Sequence, residues 1–217
     1  MTINNCNNEL DVATIILAGG QGTRLSPLTE TRCKPDVLFG GRYRLIDIPI
    51  SSSINSNIND IFVISQYLAS HLNKHIKETY TLSVHSQINV ELLSPEESPN
   101  QKLWYQGTAD AVRKNLHHIL DTPASYYVIL SGDHLYSMDL RELVRFAASQ
   151  DADLTIASIP IGRDEATRMG LLQVNENKYI EDFYEKPTDE AILNRFKAPQ
   201  EIAQGSFKSY DEVYLAS

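Results

Sequence analysis

The run Val12-Ala13-Thr14-Ile15-Ile16-Leu17 is almost wholly apolar and stops abruptly at Gly19-Gly20. A strand with one wet face would alternate apolar and polar residues. This run does not alternate, so both of its faces must be covered, as in a parallel sheet flanked by helices. Similar runs follow at Ile61-Phe62-Val63-Ile64, Tyr127-Val128-Ile129-Leu130 and Leu154-Thr155-Ile156-Ala157. Helical spacing marks residues 67–76, 109–120 and 140–148 between them, with Val112, Leu116, Ile119 and Leu120 expected on one face. Asp139, three residues before Glu142, is a variant of the capping-box start. Strands alternating with helices predict an α/β fold, three-layer, with a mostly parallel sheet. Beyond about residue 165 the pattern alternates, and residues 170–174 and 179–184 read as a hairpin around Asn175-Glu176-Asn177-Lys178.

No repeat, low-complexity tract or linker interrupts the 217 residues, which read as one domain, 1–217. The closing Glu212-Val213-Tyr214-Leu215-Ala216-Ser217 reads as a strand just begun, with no polar tail. The expectation is a truncated domain with an open sheet edge at that point.

The loop Leu17-Ala18-Gly19-Gly20-Gln21-Gly22-Thr23-Arg24 follows the first strand. Open α/β sheets bind ligands beyond the carboxyl ends of their strands. Glycines let a backbone approach a ligand and aim N–H groups at it, and a guanidinium matches phosphate oxygens. Two familiar phosphate loops are excluded. Gly22 is followed by Thr23-Arg24 rather than Gly-Lys-Ser/Thr, and Leu25 stands where the dinucleotide fingerprint beginning at Gly20 needs glycine. A bare tight turn is the other use of such glycines. Arg24, Arg32 and Lys34 then gather cations close to this loop in a chain of net charge −9. Pro35 biases Lys34 towards extended backbone, so that its side chain projects from a loop. A solvated basic surface is the competing reading.

Such an acidic chain has little to gain from a nucleic-acid backbone, so no nucleic-acid partner is expected. No segment approaches the ~18 apolar residues of a membrane span. Cys6 and Cys33 lack metal-ligand spacing, the start is polar and Asn-rich, and the chain reads as cytoplasmic.

Several motifs together carry a resemblance. LAGGQGTRLSPLTETRCKP at residues 17–35 resembles the signature of the sugar-1-phosphate nucleotidyltransferases. FGGRYRLIDIPISSSINS at 39–56 is similar to the branch of that family that makes ADP-glucose. WYQGTADAV at 104–112, SGDHLYSMD at 131–139, EKP at 185–187 and YLAS at 214–217 match in the same order. The resemblance implies a Rossmann-like sheet of the nucleotide-diphospho-sugar transferase type. It also implies transfer of AMP from ATP to glucose 1-phosphate with Mg2+, supplying glycogen or starch synthesis. Full-length members carry a C-terminal left-handed β-helix domain and form a homotetramer.

By the same resemblance Leu17, Ala18, Gly19, Gly20, Gly22 and Thr23 hold the nucleotide, and Arg24 and Lys34 are catalytic at its phosphates. Gln106, Gly107 and Thr108 form the base pocket; an amide offers adenine both donor and acceptor. Thr108 also reads as a helix cap, and the two roles are compatible. Asp133 is the catalytic carboxylate and metal ligand, a capping Asp being its alternative. Tyr105, Gly170, Glu185, Lys186 and Ser217 hold the sugar phosphate. His134 reads as structural. Adjacent His117 and His118 should point apart, which argues against a joint site.

Departures from the family pattern raise alternatives. Asp36 replaces an alanine and sets a carboxylate beside Lys34, the family's SNC is Ser51-Ser52-Ser53 here, and Thr31 stands where some members have an effector-binding lysine. A pyrophosphorylase using UTP or dTTP, or a non-catalytic regulatory paralogue that binds sugar nucleotides, remains open at this stage.

Overall fold

The computed structural model describes residues 10–20, 22, 25–81, 87–95, 104–199, 202, 210 and 212–217. Thr23 and Arg24, both expected at the nucleotide, lie outside the described residues, as does Gln21. The chain divides into two compact units, Met1–Ser149 and Gln150–Ser217, each taken by itself below.

In the first unit β1 (Val12–Ala18) is followed by the short strands β2 (Leu38–Phe39) and β3 (Tyr43–Arg44), then α1 (Asp47–Asn55). Next come β4 (Asp60–Ser65), α2 (Ser70–Ile76), β5 (Asn89–Leu93), α3 (Thr108–Lys114) and α4 (Leu116–Ile119). The unit closes with β6 (Tyr126–Ser131) and α5 (Leu140–Ser149). Its main sheet is four-stranded, in the order β5-β4-β1-β6, and every pairing is parallel. Even-numbered Val12, Ile16 and Ala18 join Ile46 and Ile50, Leu72 and Ile76 of α2, and Leu140 and Val144 of α5 in one core. Odd-numbered Ala13 and Ile15 join Ala111 and Ile119 from α3 and α4 in another. Side chains alternate across a strand, so helices cover both faces of β1 and the unit has three layers. That double cover explains why the run never alternates.

Several sequence expectations shift. The helix expected from residue 67 begins at Ser70, after Leu68 adopts φ 46°. The helix expected over 109–120 breaks at buried Asn115 (φ −101°, ψ 6°). Its side-chain amide donates to the Ala111 carbonyl at 2.7 Å and the Tyr105 hydroxyl at 2.9 Å. Such local bonds compete with helix continuation. Leu116 and Leu120, expected on the buried face, are consequently exposed. Asp139 does cap α5, accepting the Arg141 N–H at 2.9 Å.

The second unit contains β7 (Ile159–Ile161), α6 (Arg163–Ala166), β8 (Gly170–Val174), β9 (Ile180–Glu185), α7 (Glu190–Arg195) and β10 (Tyr214–Ala216). Its four strands pair antiparallel in the order β7-β10-β8-β9. The expected hairpin is β8–β9, turned by Lys178 at φ 66° and by the Asn175 carboxamide oxygen, which accepts the N–H groups of Asn177 and Tyr179. The strand expected at residues 154–157 is absent, and Leu154 and Ile156 are exposed; pairing begins instead at Ile159. The open edge expected near Ser217 is also overturned. Strand β10 is interior, bonded to β7 on one side and β8 on the other.

Candidate active site

The first group of site residues gathers beyond the carboxyl end of β1. Gly132, just past β6, donates its N–H to the Leu17 carbonyl at 2.9 Å. A Cβ on Gly132 would lie 3.0 Å from that oxygen and 3.1 Å from Ile46 Cδ1, so the crossing is closer than a side chain takes without a shift of its neighbours. This crossing holds Asp133 over the end of β1. There its Oδ2 lies 2.7 Å from Lys34 Nζ, and Ser131 Oγ donates to Oδ1. Burial pushes the Asp133 carboxyl up, but the Lys34 and Ser131 hydrogen bonds and the Lys34 charge outweigh it and hold it below its usual value. Asp133 is thus an anion, partly open to solvent.

The glycine loop meets the same lysine. Gly22 has φ +66°, and a Cβ there would stand 2.9 Å from Lys34 Cβ and 3.0 Å from Thr29 Cγ2. The Thr29 hydroxyl bonds to the Gly22 carbonyl at 2.8 Å and keeps loop and lysine together. Ala18 is buried, whereas Gly19 and Gly20 are exposed and Gly20 faces open space. Lys34 opens a short 3-10 turn, Lys34–Asp36, instead of lying extended; the extended residue is Cys33, at φ −69° and ψ 157°. Pro35, second in that turn, needs no N–H there.

A third segment, residues 105–108, is tied to the end of β4 by Gln66. The Gln66 carboxamide oxygen accepts the Tyr105 N–H at 2.8 Å, and its amide donates to the Tyr105 carbonyl at 3.5 Å. Gln66 Cβ also lies 3.8 Å from where a Gly19 Cβ would stand. Gln106, Gly107 and Thr108 are exposed beside this junction. Thr108 is not the cap of α3: Gly107 holds the cap position, and Thr108 is the first helical residue. Asp110 does the capping work from inside the helix, accepting the Gln106 N–H at 3.0 Å. That bond, followed by those from Lys114 and Arg113, holds its carboxyl well below the usual carboxylate range.

In the second unit, Gly170 pairs with Glu185 across β8 and β9, and the Ser217 N–H donates to the Gly170 carbonyl at 3.2 Å. A Cβ on Gly170 would strike the Phe183 ring at 2.7 Å and Glu185 Oε2 at 2.9 Å. Lys186 adopts φ 49°, donates its N–H to the Met169 carbonyl at 3.1 Å and pairs through Nζ with Glu185. Left-handed backbone at a residue other than glycine is uncommon and turns Lys186 out at the end of β9. Four of the five residues expected at the sugar phosphate therefore cluster here; Tyr105 belongs to the first unit.

Among known proteins, the nucleotidyl transferase family model matches residues 13–214. The chain belongs to the nucleotidyl transferase family. It is also 44% identical over 209 residues to a glucose-1-phosphate adenylyltransferase small subunit, chloroplastic/amyloplastic, from Triticum aestivum. That alignment covers 95% of this chain and 44% of the relative, so the chain spans less than half the relative's length.

The departure that most concerns this nucleotidyl transferase is Asp36, and the structure turns its carboxylate away from Lys34. Asp36 is fully buried, ion-paired with Arg44, with Arg32 Nε 3.9 Å away. Beside it, Asp47 accepts from the Arg44 N–H and the Tyr80 hydroxyl, each at 2.8 Å, and lies 2.7 Å from His75 Nε2. Burial first, then the Asp47 charge, pushes the Tyr80 hydroxyl far up. Ser53 is buried and bonds back to the Pro49 carbonyl at 2.9 Å, as a small polar residue inside α1 can. The His117 and His118 rings lie 4.0 Å apart rather than pointing apart, in a helix, α4, of only four residues. Exposed His134 makes an edge contact with Tyr136, with ring centres 6.4 Å apart.

Sequence reasoning missed Gln66, Ser131 and Asp110. Gln66 acts across elements, on a backbone 39 residues away, whereas Ser131 bonds Asp133 two residues on and Asp110 acts within α3 and its start. Both of these left a local signal, Asp110 three residues after Gly107 at a helix start and Ser131 two residues before Asp133. A surface hollow of about 360 Å³ beside β5 is lined by Asn73, Lys77, Val90, Glu91, Leu92 and Ser94, and none of the expected site residues lines it. Among the described residues no helix is long and apolar enough to cross a membrane.

Proposed function

We propose that this chain is the nucleotidyltransferase catalytic domain of a glucose-1-phosphate adenylyltransferase, joining ATP and glucose 1-phosphate into ADP-glucose and pyrophosphate. The observation that carries this reading is the meeting of Gly22, Lys34 and Asp133 over the end of β1. The name of the wheat relative supports the choice of nucleotide and sugar.

The chemistry needs positioning more than acid–base help. A phosphate monoester has its second pKa near ~6, so glucose 1-phosphate is already a nucleophilic dianion at neutral pH. Its oxygen attacks the α-phosphorus of ATP, and pyrophosphate leaves with the bonding electron pair. Two anions must be held in line, a task for cations and fixed N–H groups. The exposed Gly19 and Gly20 admit the triphosphate to the backbone, and Lys34 and Arg24 neutralise it. Glu185 and Ser217 take sugar hydroxyls beside Gly170, and Lys186 takes the monoester phosphate. The ion pairs Lys34–Asp133 and Lys186–Glu185 are the resting partners of these lysines, exchanged for phosphate on binding.

Asp133 fits a magnesium ion. It is a hard oxygen donor kept anionic, and it stands there as a single carboxylate: among the described residues no set of three or more His, Cys, Asp or Glu gathers at Asp133 or anywhere else. Magnesium is commonly held by one or two carboxylates with substrate phosphates and water. When bound it supplies charge neutralisation at the reacting phosphates. A cytoplasmic placement and a homotetramer of the full natural chain complete the proposal. Release of pyrophosphate by that full chain with glucose 1-phosphate tests it. Release with ATP and not UTP is expected. Preference for UTP would move the chain to another branch, and ATP binding without release would make it a non-catalytic paralogue.

A further inference from the structure

The second unit carries a feature that the expected site residues leave unused. Across an antiparallel pair, residues directly opposite one another share a face of the sheet. Gly170 faces Glu185, and Leu172 faces Phe183, so Phe183 and Glu185 stand on one face with Gly170 between β10 and β9. The tip of the Phe183 ring occupies the space a Gly170 side chain would need, with its nearest atoms 2.7 and 2.8 Å from that Cβ position and Glu185 Oε2 at 2.9 Å. Yet half of Phe183, 50%, stays exposed, whereas its cross-strand partner Leu172 is 3% exposed. A phenylalanine that filled a core would be covered. This one presents a ring beside a carboxylate, with an ammonium one residue beyond it.

We propose that the Phe183 ring is the platform on which the pyranose of the sugar phosphate stacks, with Glu185 taking its hydroxyls and Lys186 its phosphate. This rests on the reading of the chain as a sugar-phosphate nucleotidyltransferase and adds the apolar contact that reading lacks. The face of an aromatic ring carries negative charge density and suits the C–H edges of a sugar ring, while sugar hydroxyls need polar partners at the rim. Binding sites commonly combine an apolar wall with a few placed polar groups. Gly170 follows from the same geometry: any side chain there would displace both the ring and the carboxylate.

The test uses the full natural chain, its Phe183→Leu and Phe183→Tyr variants, and steady-state kinetics against each substrate. Leucine keeps apolar volume and loses the ring; tyrosine keeps the ring. Phe183→Leu is expected to raise KM for glucose 1-phosphate roughly 3- to 10-fold, the scale of one aromatic contact, with kcat and KM for ATP within about twofold. Phe183→Tyr is expected to stay within about twofold throughout. Thermal unfolding of both variants separates misfolding from lost contact. Unchanged KM for glucose 1-phosphate in a folded Phe183→Leu overturns the platform while leaving the reaction standing. Equal losses toward ATP and sugar phosphate, or a Phe183→Tyr as weak as Phe183→Leu, would make the ring a packing element. An unmutated chain that turns over no sugar phosphate removes the underlying reading, and the platform with it.

Discussion

Gly132→Ala is the sharpest test of how Asp133 is placed. The added methyl would stand 3.0 Å from the Leu17 carbonyl oxygen, 3.1 Å from Ile46 Cδ1 and 3.4 Å from Ala18 Cα. Two of these are backbone atoms of β1, which is paired on both sides and cannot shift alone. The methyl must therefore be relieved by a small shift of residue 132, which strains its 2.9 Å bond to Leu17. Overpacking of this kind costs about 1–3 kcal/mol. For a domain of roughly this size each kcal/mol lowers Tm by about 2–4 °C, so a fall on the order of 5 °C is expected in the unfolding transition of this domain. Asp133 is the next residue, and a misplacement of about 1 Å in catalytic geometry can cost ~10²-fold in rate. Calorimetry and pyrophosphate release on the full natural chain read the two effects separately. Gly20→Ala is the control. Nothing lies within 4 Å of its Cβ position, so Tm should hold while KM for ATP rises as the methyl keeps the phosphates from the backbone. A Gly132→Ala protein with unmutated Tm and unmutated turnover would refute the crossing as the device that holds Asp133.

Three further outcomes are expected. Asp133→Asn should lower kcat by roughly 10²-fold or more while the fold persists, since it removes the charge paired with Lys34; near-normal turnover with magnesium would end its assignment. Lys186→Ala should raise KM for glucose 1-phosphate far more than KM for ATP, and equal losses toward both substrates would place this lysine elsewhere. Glu212 is held down to about 2 from an ordinary 4.5 by hydrogen bonds from Lys197, then Arg163 and Tyr214. Because the folded value is depressed, its contribution is full above about 4.5 and is lost as pH falls towards about 2. Glu212→Gln should flatten the acid-unfolding curve in that window, as followed by circular dichroism, and an unchanged curve would show the network to be idle.

What was legible in the sequence was whatever a strand or loop declares locally. The unbroken apolar run at Val12 announced a doubly covered strand because both parities of its side chains are buried, Ile16 on one face and Ile15 on the other. The glycine loop and Asp133 were legible as residue types following such strands. The break at Asn115 was not, because it depends on the Tyr105 hydroxyl ten positions earlier. Gln66 was equally hidden: a glutamine after a strand gives no sign that it will pair with a backbone 39 residues away. The run at residues 154–157 misled for the opposite reason. Apolar composition promises burial only where a neighbour covers it, and Leu154 remains 74% exposed.

At Asp36, too, the neighbours decide what the residue does. From sequence, a carboxylate two positions after Lys34 threatened to quench the cation meant for phosphate. In the 3-10 turn that Pro35 helps to start, Lys34 and Asp36 go different ways. Lys34 reaches Asp133, while Asp36 is buried against Arg44, near Arg32. A buried carboxylate without cations would be strongly unfavourable, so the pairing with Arg44 is what lets Asp36 occupy an interior position at all. The pairing also removes its charge from the lysine's side of the turn. The substitution therefore leaves the Lys34 ammonium paired with Asp133 and commits Arg44 to a structural role between Asp36 and, through its backbone N–H, Asp47. The buried pair thus accounts for the Asp36 carboxylate without drawing on the ammonium of Lys34.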